Sequence, residues 1–175
     1  MYSREILIPD GVNAEVDKNK VKISGSKGSL ERSFNLLGGL KIEKKESKII
    51  ASSEKDTRPL KAKVGTIIAH ARNMIEGVTK GYTYRLRVIY SHFPITMKLD
   101  KDKVIFQNFL GERTSRVAKI VGKTEVKIEG SDIIVTGIDI EEVGLTSHNL
   151  EQATRRTGFD KKVFQDGCYI VTKGE

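Results

Sequence analysis

The chain of 175 residues has little of what secreted, membrane-spanning or metal-bound proteins are built from: it holds one cysteine and no tryptophan. A lone thiol, Cys168, excludes an internal disulfide framework and a cysteine-based zinc site, which leaves it the role of a small buried apolar residue. No run approaches the roughly 20 apolar residues that span a bilayer. Met1–Asp10 is too short and too polar for a signal peptide, so the expected compartment is a reducing cytoplasm. His70, His92 and His148 fall in different elements, without a metal-ligand spacing such as His-x3-His. Glu141 and Glu142 are neighbours on a helix and point in different directions, so they form no acid/base dyad. Gly25-Ser26-Lys27-Gly28 is a turn and not a phosphate-cradling loop. No catalysis, cofactor or metal is therefore expected.

What is present is charge. Hydrophobic residues make up 38% and charged residues 31%, enough for a packed core and against disorder. Lys and Arg number 31 against 23 Asp and Glu, a net charge of +8. Such an excess favours polyanions, because each phosphate neutralised releases condensed counterions. A merely soluble basic protein would show the same excess.

The sequence also repeats itself. Val16-Asp17-Lys18-Asn19-Lys20-Val21 returns 83 residues later as Leu99-Asp100-Lys101-Asp102-Lys103-Val104. At that offset Val12, Ala14, Val16, Val21 and Ile23 meet Ile95, Met97, Leu99, Val104 and Phe106, and Gly28 meets Gly111. Apolar residues alternate on both sides of an Asp-Lys turn, so each copy predicts a β-hairpin with one buried face. Ser47–Ser52 matches Ser131–Thr136 with one residue inserted. Two matches in one order make duplication the better account than chance.

Each copy then changes to a period of 3.6. Leu60, Val64, Ile67, Ile68, Ala71 and Ile75 line one helical face. Asp56 or Thr57 can cap that helix, Pro59 suits its first turn and Gly77 is its expected terminator. Aligning Gly65 with Gly144 sets Val143, Leu150 and Ala153 against Val64, Ala71 and Met74, a shorter second helix. The expected fold is α+β: two tandem duplicated domains, each a small, mostly antiparallel sheet covered by one helix. The boundary is placed near Gly81, giving residues 1–81 and 82–175, with the alternating Tyr82–Tyr90 as the strand that opens the second copy.

Residues 1–80 carry 16 basic and 10 acidic side chains, and residues 81–175 carry 15 and 13. The second half is the less basic, yet its cations bunch. One cluster is Arg113-Thr114-Ser115-Arg116 with Lys119 and Lys123. The other is Arg155-Arg156-Thr157-Gly158-Phe159-Asp160-Lys161-Lys162, after the second helix. Guanidinium, ammonium, hydroxyl and backbone amide groups together suit phosphate and 2′-hydroxyl contacts. A solvated basic loop would read the same way, and Phe159 could stack on a base or plug the edge of the core. Lys173 joins the RNA-binding candidates, and Lys27-Gly28, in the equivalent turn of the first copy, are weaker ones.

Longer stretches resemble a known family. They are Arg87–Ile95 (RVIYSHFPI), Asn108–Glu112 (NFLGE), Asn149–Thr154 (NLEQAT) and Phe164–Ile170 (FQDGCYI), with Ile8–Val12 and Gly25–Gly28 nearer the start. The chain is similar over nearly its whole length to the universal large-subunit ribosomal protein number six, in its archaeal and eukaryotic branch (number nine in the eukaryotic series). The resemblance implies duplicated α+β domains in the cytoplasmic ribosome. It also implies contact with large-subunit ribosomal RNA near the sarcin–ricin loop and the base of the factor-binding stalk, beside neighbouring ribosomal proteins. On this view the second domain makes the principal RNA contacts, and Arg155, Arg156, Lys161 and Lys162 fall in the family's basic segment. Lys162 stands where arginine is expected and Phe159 where a basic residue is common. The alternative is a basic protein-interaction module without specific RNA binding. An RNA-processing enzyme would need a clustered titratable set that the sequence does not show.

Overall fold

A computed structural model gives the structure of residues 2–36, 38–160 and 162–174. The chain divides into two compact units, Met1–Gly81 and Tyr82–Glu175.

In the first unit, strands β1 (Tyr2–Leu7), β2 (Asn13–Asp17), β3 (Lys20–Gly25), β4 (Gly28–Ser33), β5 (Leu40–Lys45) and β6 (Lys48–Ser53) precede helix α1 (Arg58–Thr79). The second unit continues with β7 (Tyr82–Ile89), β8 (Thr96–Asp100), β9 (Lys103–Gln107), β10 (Arg116–Lys119), β11 (Glu125–Glu129) and β12 (Asp132–Gly137). It closes with helix α2 (Ile140–Ala153) and β13 (Gly167–Thr172). The α+β class and the duplication are plain in the pairing. Order β2-β3-β4 recurs as β8-β9-β10, and β1-β6-β5 recurs as β7-β12-β11, antiparallel throughout. Two features sharpen the expectation. The strands of each unit divide into two small sheets, and β13 adds a fourth strand on the free side of β7. In the first unit Gly38 and Gly39, both at positive φ, redirect the chain between the two sheets.

The repeated hairpins sit in the same register. Val16 faces Val21 and Ala14 faces Ile23, while Leu99 faces Val104 and Met97 faces Phe106. Lys18 and Lys101, at equivalent turn positions, both take positive φ. Alternation puts Val21, Ile23, Val104 and Phe106 fully inside. Each such side chain contributes about 1.5–3 kcal/mol relative to exposure.

Helix α1 buries Val64, Ile67, Ile68, Ala71, Met74, Ile75 and Val78 against its unit's strands. The expected stop at Gly77 is corrected. Gly77 lies on the buried face, and the helix runs on to Thr79. Gly81, at φ +75°, makes the left-handed exit, and its N–H donates to Glu76 O (3.2 Å). Thr57 is the N-cap by backbone alone, and Pro59 occupies the first turn. Helix α2 starts from Asp139, whose carboxylate accepts from Glu141 N (2.9 Å), and it buries Val143 and Leu150 in the second core. Among the described residues no helix is long and apolar enough to cross a membrane.

Candidate nucleic-acid interface

Three connections of the second unit meet at one place: residues 90–95 between β7 and β8, 108–115 between β9 and β10, and 154–166 between α2 and β13. Each joins elements already fixed in the core, so the loops are held at both ends.

Asp166 ties the first to the third. Its side chain is fully buried, and the carboxylate accepts from Ser91 N (3.2 Å), His92 N (3.4 Å), Ser91 Oγ (3.0 Å) and His92 Nδ1 (3.2 Å). Burial alone would push the carboxyl up. The hydrogen bonds from His92 and Ser91 outweigh it and hold Asp166 below its ordinary value. An acceptor-only carboxylate places the imidazole hydrogen on Nδ1. Ser91, His92 and Asp166 are the residue types of a hydrolytic triad, but Ser91 Oγ sits 3.0 Å from that same Nδ1 and donates to Asp166. A general-base histidine receives the serine proton on Nε2 while Nδ1 faces the carboxylate. Here the trio is a fastening and not a nucleophile.

Arg116 ties the second to the third. Its guanidinium forms a fork with Glu112 (Nε to Oε2, 2.8 Å; Nη2 to Oε1, 2.6 Å). Nη1 donates to the carbonyls of Ala153 (3.2 Å) and Arg155 (2.7 Å), and the group lies 4.3 Å from the centroid of buried Phe109. A cation there also suits the negative end of α2. The hydrogen bond from Arg116 holds the Glu112 carboxyl below its ordinary value. The 108–115 connection itself turns sharply, with Asn108, Leu110 and Gly111 at positive φ. A Cβ on Gly111 would meet the ring of Phe93 at 3.4 Å, so the glycine lets this loop lie against the 90–95 connection.

The 154–166 segment is braced within itself. Thr154 Oγ1 accepts from Cys168 N (2.8 Å), and Arg156 Nη1 donates to Asp166 O (2.6 Å). Asp160 closes a turn, accepting from Lys162 N on its side chain (2.9 Å) and from Phe164 N on its carbonyl (2.9 Å). Phe164 stacks on His92 (4.8 Å, 26°), and Phe159 meets Phe164 edge-on (5.0 Å, 65°). Glu151, Thr154, Arg155, Arg156, Asp166 and Cys168 are among the residues lining a cleft of ≈ 400 Å³. Cys168 is the core thiol expected, pushed up to about 12 by burial and by Glu151.

The sequence candidates therefore divide. Arg116 and Arg156 are engaged internally. Arg113, Thr114, Arg155, Thr157, Lys162 and Lys173 are exposed, and among the described residues none of their side chains bonds within the protein. Lys161 lies outside the described residues. In the first unit Lys27 is committed to the end of α1: its N–H donates to Val78 O (3.0 Å) and its ammonium to Lys80 O. Gly28 pairs with Gly25 in the β3–β4 turn. Sequence reasoning missed Asp166 and Glu112. Asp166 is reached through partners more than 70 residues away. Glu112, four residues before Arg116, carried a local signal for the pair. Among the described residues no three His, Cys, Asp or Glu side chains gather to hold a metal ion.

Comparison with known proteins adds a pattern of likeness. A family described as Ribosomal protein L6 matches residues 8–81. Proteins named large ribosomal subunit protein uL6 are similar along both units. That of Staphylothermus marinus is 49% identical over 174 residues, covering 98% of this chain and 94% of the other. Those of Desulfurococcus amylolyticus and Methanothrix thermoacetophila are 48% identical (99% and 95% covered) and 46% identical (97% and 96% covered).

Proposed function

The chain belongs to the ribosomal protein L6 family, and from that premise we propose that its second unit, residues 82–175, grips large-subunit ribosomal RNA through the exposed cations of its converged loops. The role is structural and not enzymatic, in the large ribosomal subunit of the cytoplasm. The finer address is near the sarcin–ricin loop and the base of the factor-binding stalk, with neighbouring ribosomal proteins beside it. Support for that address is the likeness of segments 87–95 and 164–170 to the family.

The observation that carries the reading is a division of labour among cations. Arg116 and Arg156 are spent on holding the loops, by bonds of 2.6–3.2 Å. Arg113, Arg155 and Lys162 are left to solvent on the frame so held, whereas Lys173 is exposed beyond the far end of β13. A charge carried on a backbone held before binding loses less conformational freedom when it meets a phosphate than one on a loose loop. Folded RNA is then read through its backbone and 2′-hydroxyls more than its base edges.

The test neutralises Arg113, Arg155 and Lys162 to Gln, leaving Arg116 and Arg156 in place. Binding to large-subunit RNA fragments is then followed across salt. For every phosphate no longer neutralised, the slope of log K against log salt should fall by about 0.7–0.9, and incorporation into the large subunit should fall with it. An unchanged slope and wild-type incorporation would remove the C-terminal cluster from the interface. A flat, negligible response from the wild-type chain would favour the protein-interaction module instead.

A further inference from the structure

We infer that the ladder His92–Phe164–Phe159 is a platform for one unpaired nucleobase, so that the RNA bound by the second unit presents an unstacked nucleotide beside the basic loop. This rests on the RNA-binding reading above and adds to it a ligand group that phosphate contacts do not provide.

Phe159 is 50% exposed, although aromatic burial normally stabilises a fold, and it is no part of the buried core. Its position is nevertheless fixed by a chain of contacts that runs inward. Phe159 abuts Phe164 at 5.0 Å, Phe164 stacks on His92 at 4.8 Å, and His92 is bonded through Nδ1 to the buried carboxylate of Asp166. Asp160, next to Phe159, accepts from Lys162 N and Phe164 N and so ties the two phenylalanines together. An exposed ring immobilised in this way has already lost the freedom a flexible side chain would lose on stacking. Arg155 and Lys162, both exposed, flank it in sequence and supply the charge that a nucleotide's phosphate needs. An exposed aromatic face with cations close to it in sequence matches a nucleotide's two surfaces, and base stacking tolerates any base because every base has a π face. A purely apolar protein partner would gain nothing from those charges.

The probes are a short RNA duplex, the same duplex with one bulged nucleotide, and the same duplex with an abasic site at the bulge. The full chain should bind the bulged duplex roughly 5- to 150-fold more tightly than the other two, the range that one base–aromatic stack provides. Phe159→Leu should erase that preference and leave the affinity and salt slope for the paired duplex unchanged. Phe159→Tyr should restore the preference, which separates stacking from a loss of folding. If the wild type binds bulged and abasic duplexes alike, the platform is overturned while the basic-cluster reading stands. If it binds none of the three at low salt, the RNA-binding reading falls and the platform with it. If Phe159→Leu leaves base preference intact but reduces incorporation into the subunit, the ring meets protein and the platform is again overturned.

Discussion

The two units share six strand positions and a helix, yet they treat the same end of the scaffold differently. In the first, β3 and β4 are joined by Ser26 and Lys27 alone, and Lys27 closes the end against the carbonyls that finish α1. In the second, eight residues, 108–115, stand in that place, and Arg116 closes against the carbonyls that finish α2. A cation at a helix C-terminus is the shared solution. The longer connection, together with the 154–166 segment that leads to the added β13, leaves unpaired cations at that end. Total charge points the wrong way. The first half is the more basic, but Lys20, Lys41, Lys48 and Lys61 each face a carboxylate at 2.8–3.0 Å. What sets the second unit's loops apart is that unpaired cations gather there on segments tied to one another.

That comparison can be broken most severely at Asp166. Asp166→Ala should cost the second unit about 3 kcal/mol, since it leaves Ser91 and His92 without the buried carboxylate that accepts from them, read as a lower urea midpoint; a loss below about 1 kcal/mol would deny Asp166 its role as the fastening. The same group gives the wild type an acid limb. Its folded carboxyl ionises more readily than the unfolded one, so its contribution is complete above the ordinary 3.8 and drains away as pH falls below it. Asp166→Asn should flatten that limb. A smaller effect separates the two helix-end cations. Arg116→Ala should destabilise by about 2 kcal/mol, since it breaks several charge-assisted bonds, and Lys27→Ala should cost clearly less, because its bonds are fewer and lie in solvent. Equal losses by thermal melting would mean that the two closures are interchangeable. Smallest of all, Lys20→Gln in the first unit should change neither melting temperature nor RNA affinity measurably, because an exposed pair with Glu31 contributes little. A marked drop in affinity would show that paired lysines of the first unit also meet RNA.

Much of this architecture was legible because it is local. Alternation around Asp17-Lys18 and Asp100-Lys101 predicts both hairpins, and the 3.6 period from Leu60 to Ile75 predicts α1. What escaped is non-local. Nothing near Gly77 signals that α1 will run on to Thr79, with the left-handed exit left to Gly81. Nothing near Arg116 or Arg156 says that their guanidiniums are consumed by carbonyls of the 153–166 segment, so a cluster of like residues conceals two different jobs. The basic loops were visible as composition. Which cations remain available is a property of the folded pairing, and the composition does not contain it.

Strand β13 has a consequence for the order of assembly. Its partner β7 is the strand that opens the second unit, and Gly167 lies opposite Ile89. The segment between α2 and β13 is anchored at its far end only when those two strands meet, after nearly the whole unit has been synthesised. Closing so long a loop is slow relative to forming the hairpins before it. That connection thus gains its second anchor only when β13 pairs with β7, so the segment carrying Arg155 and Lys162 depends on the last strand of the unit for its shape.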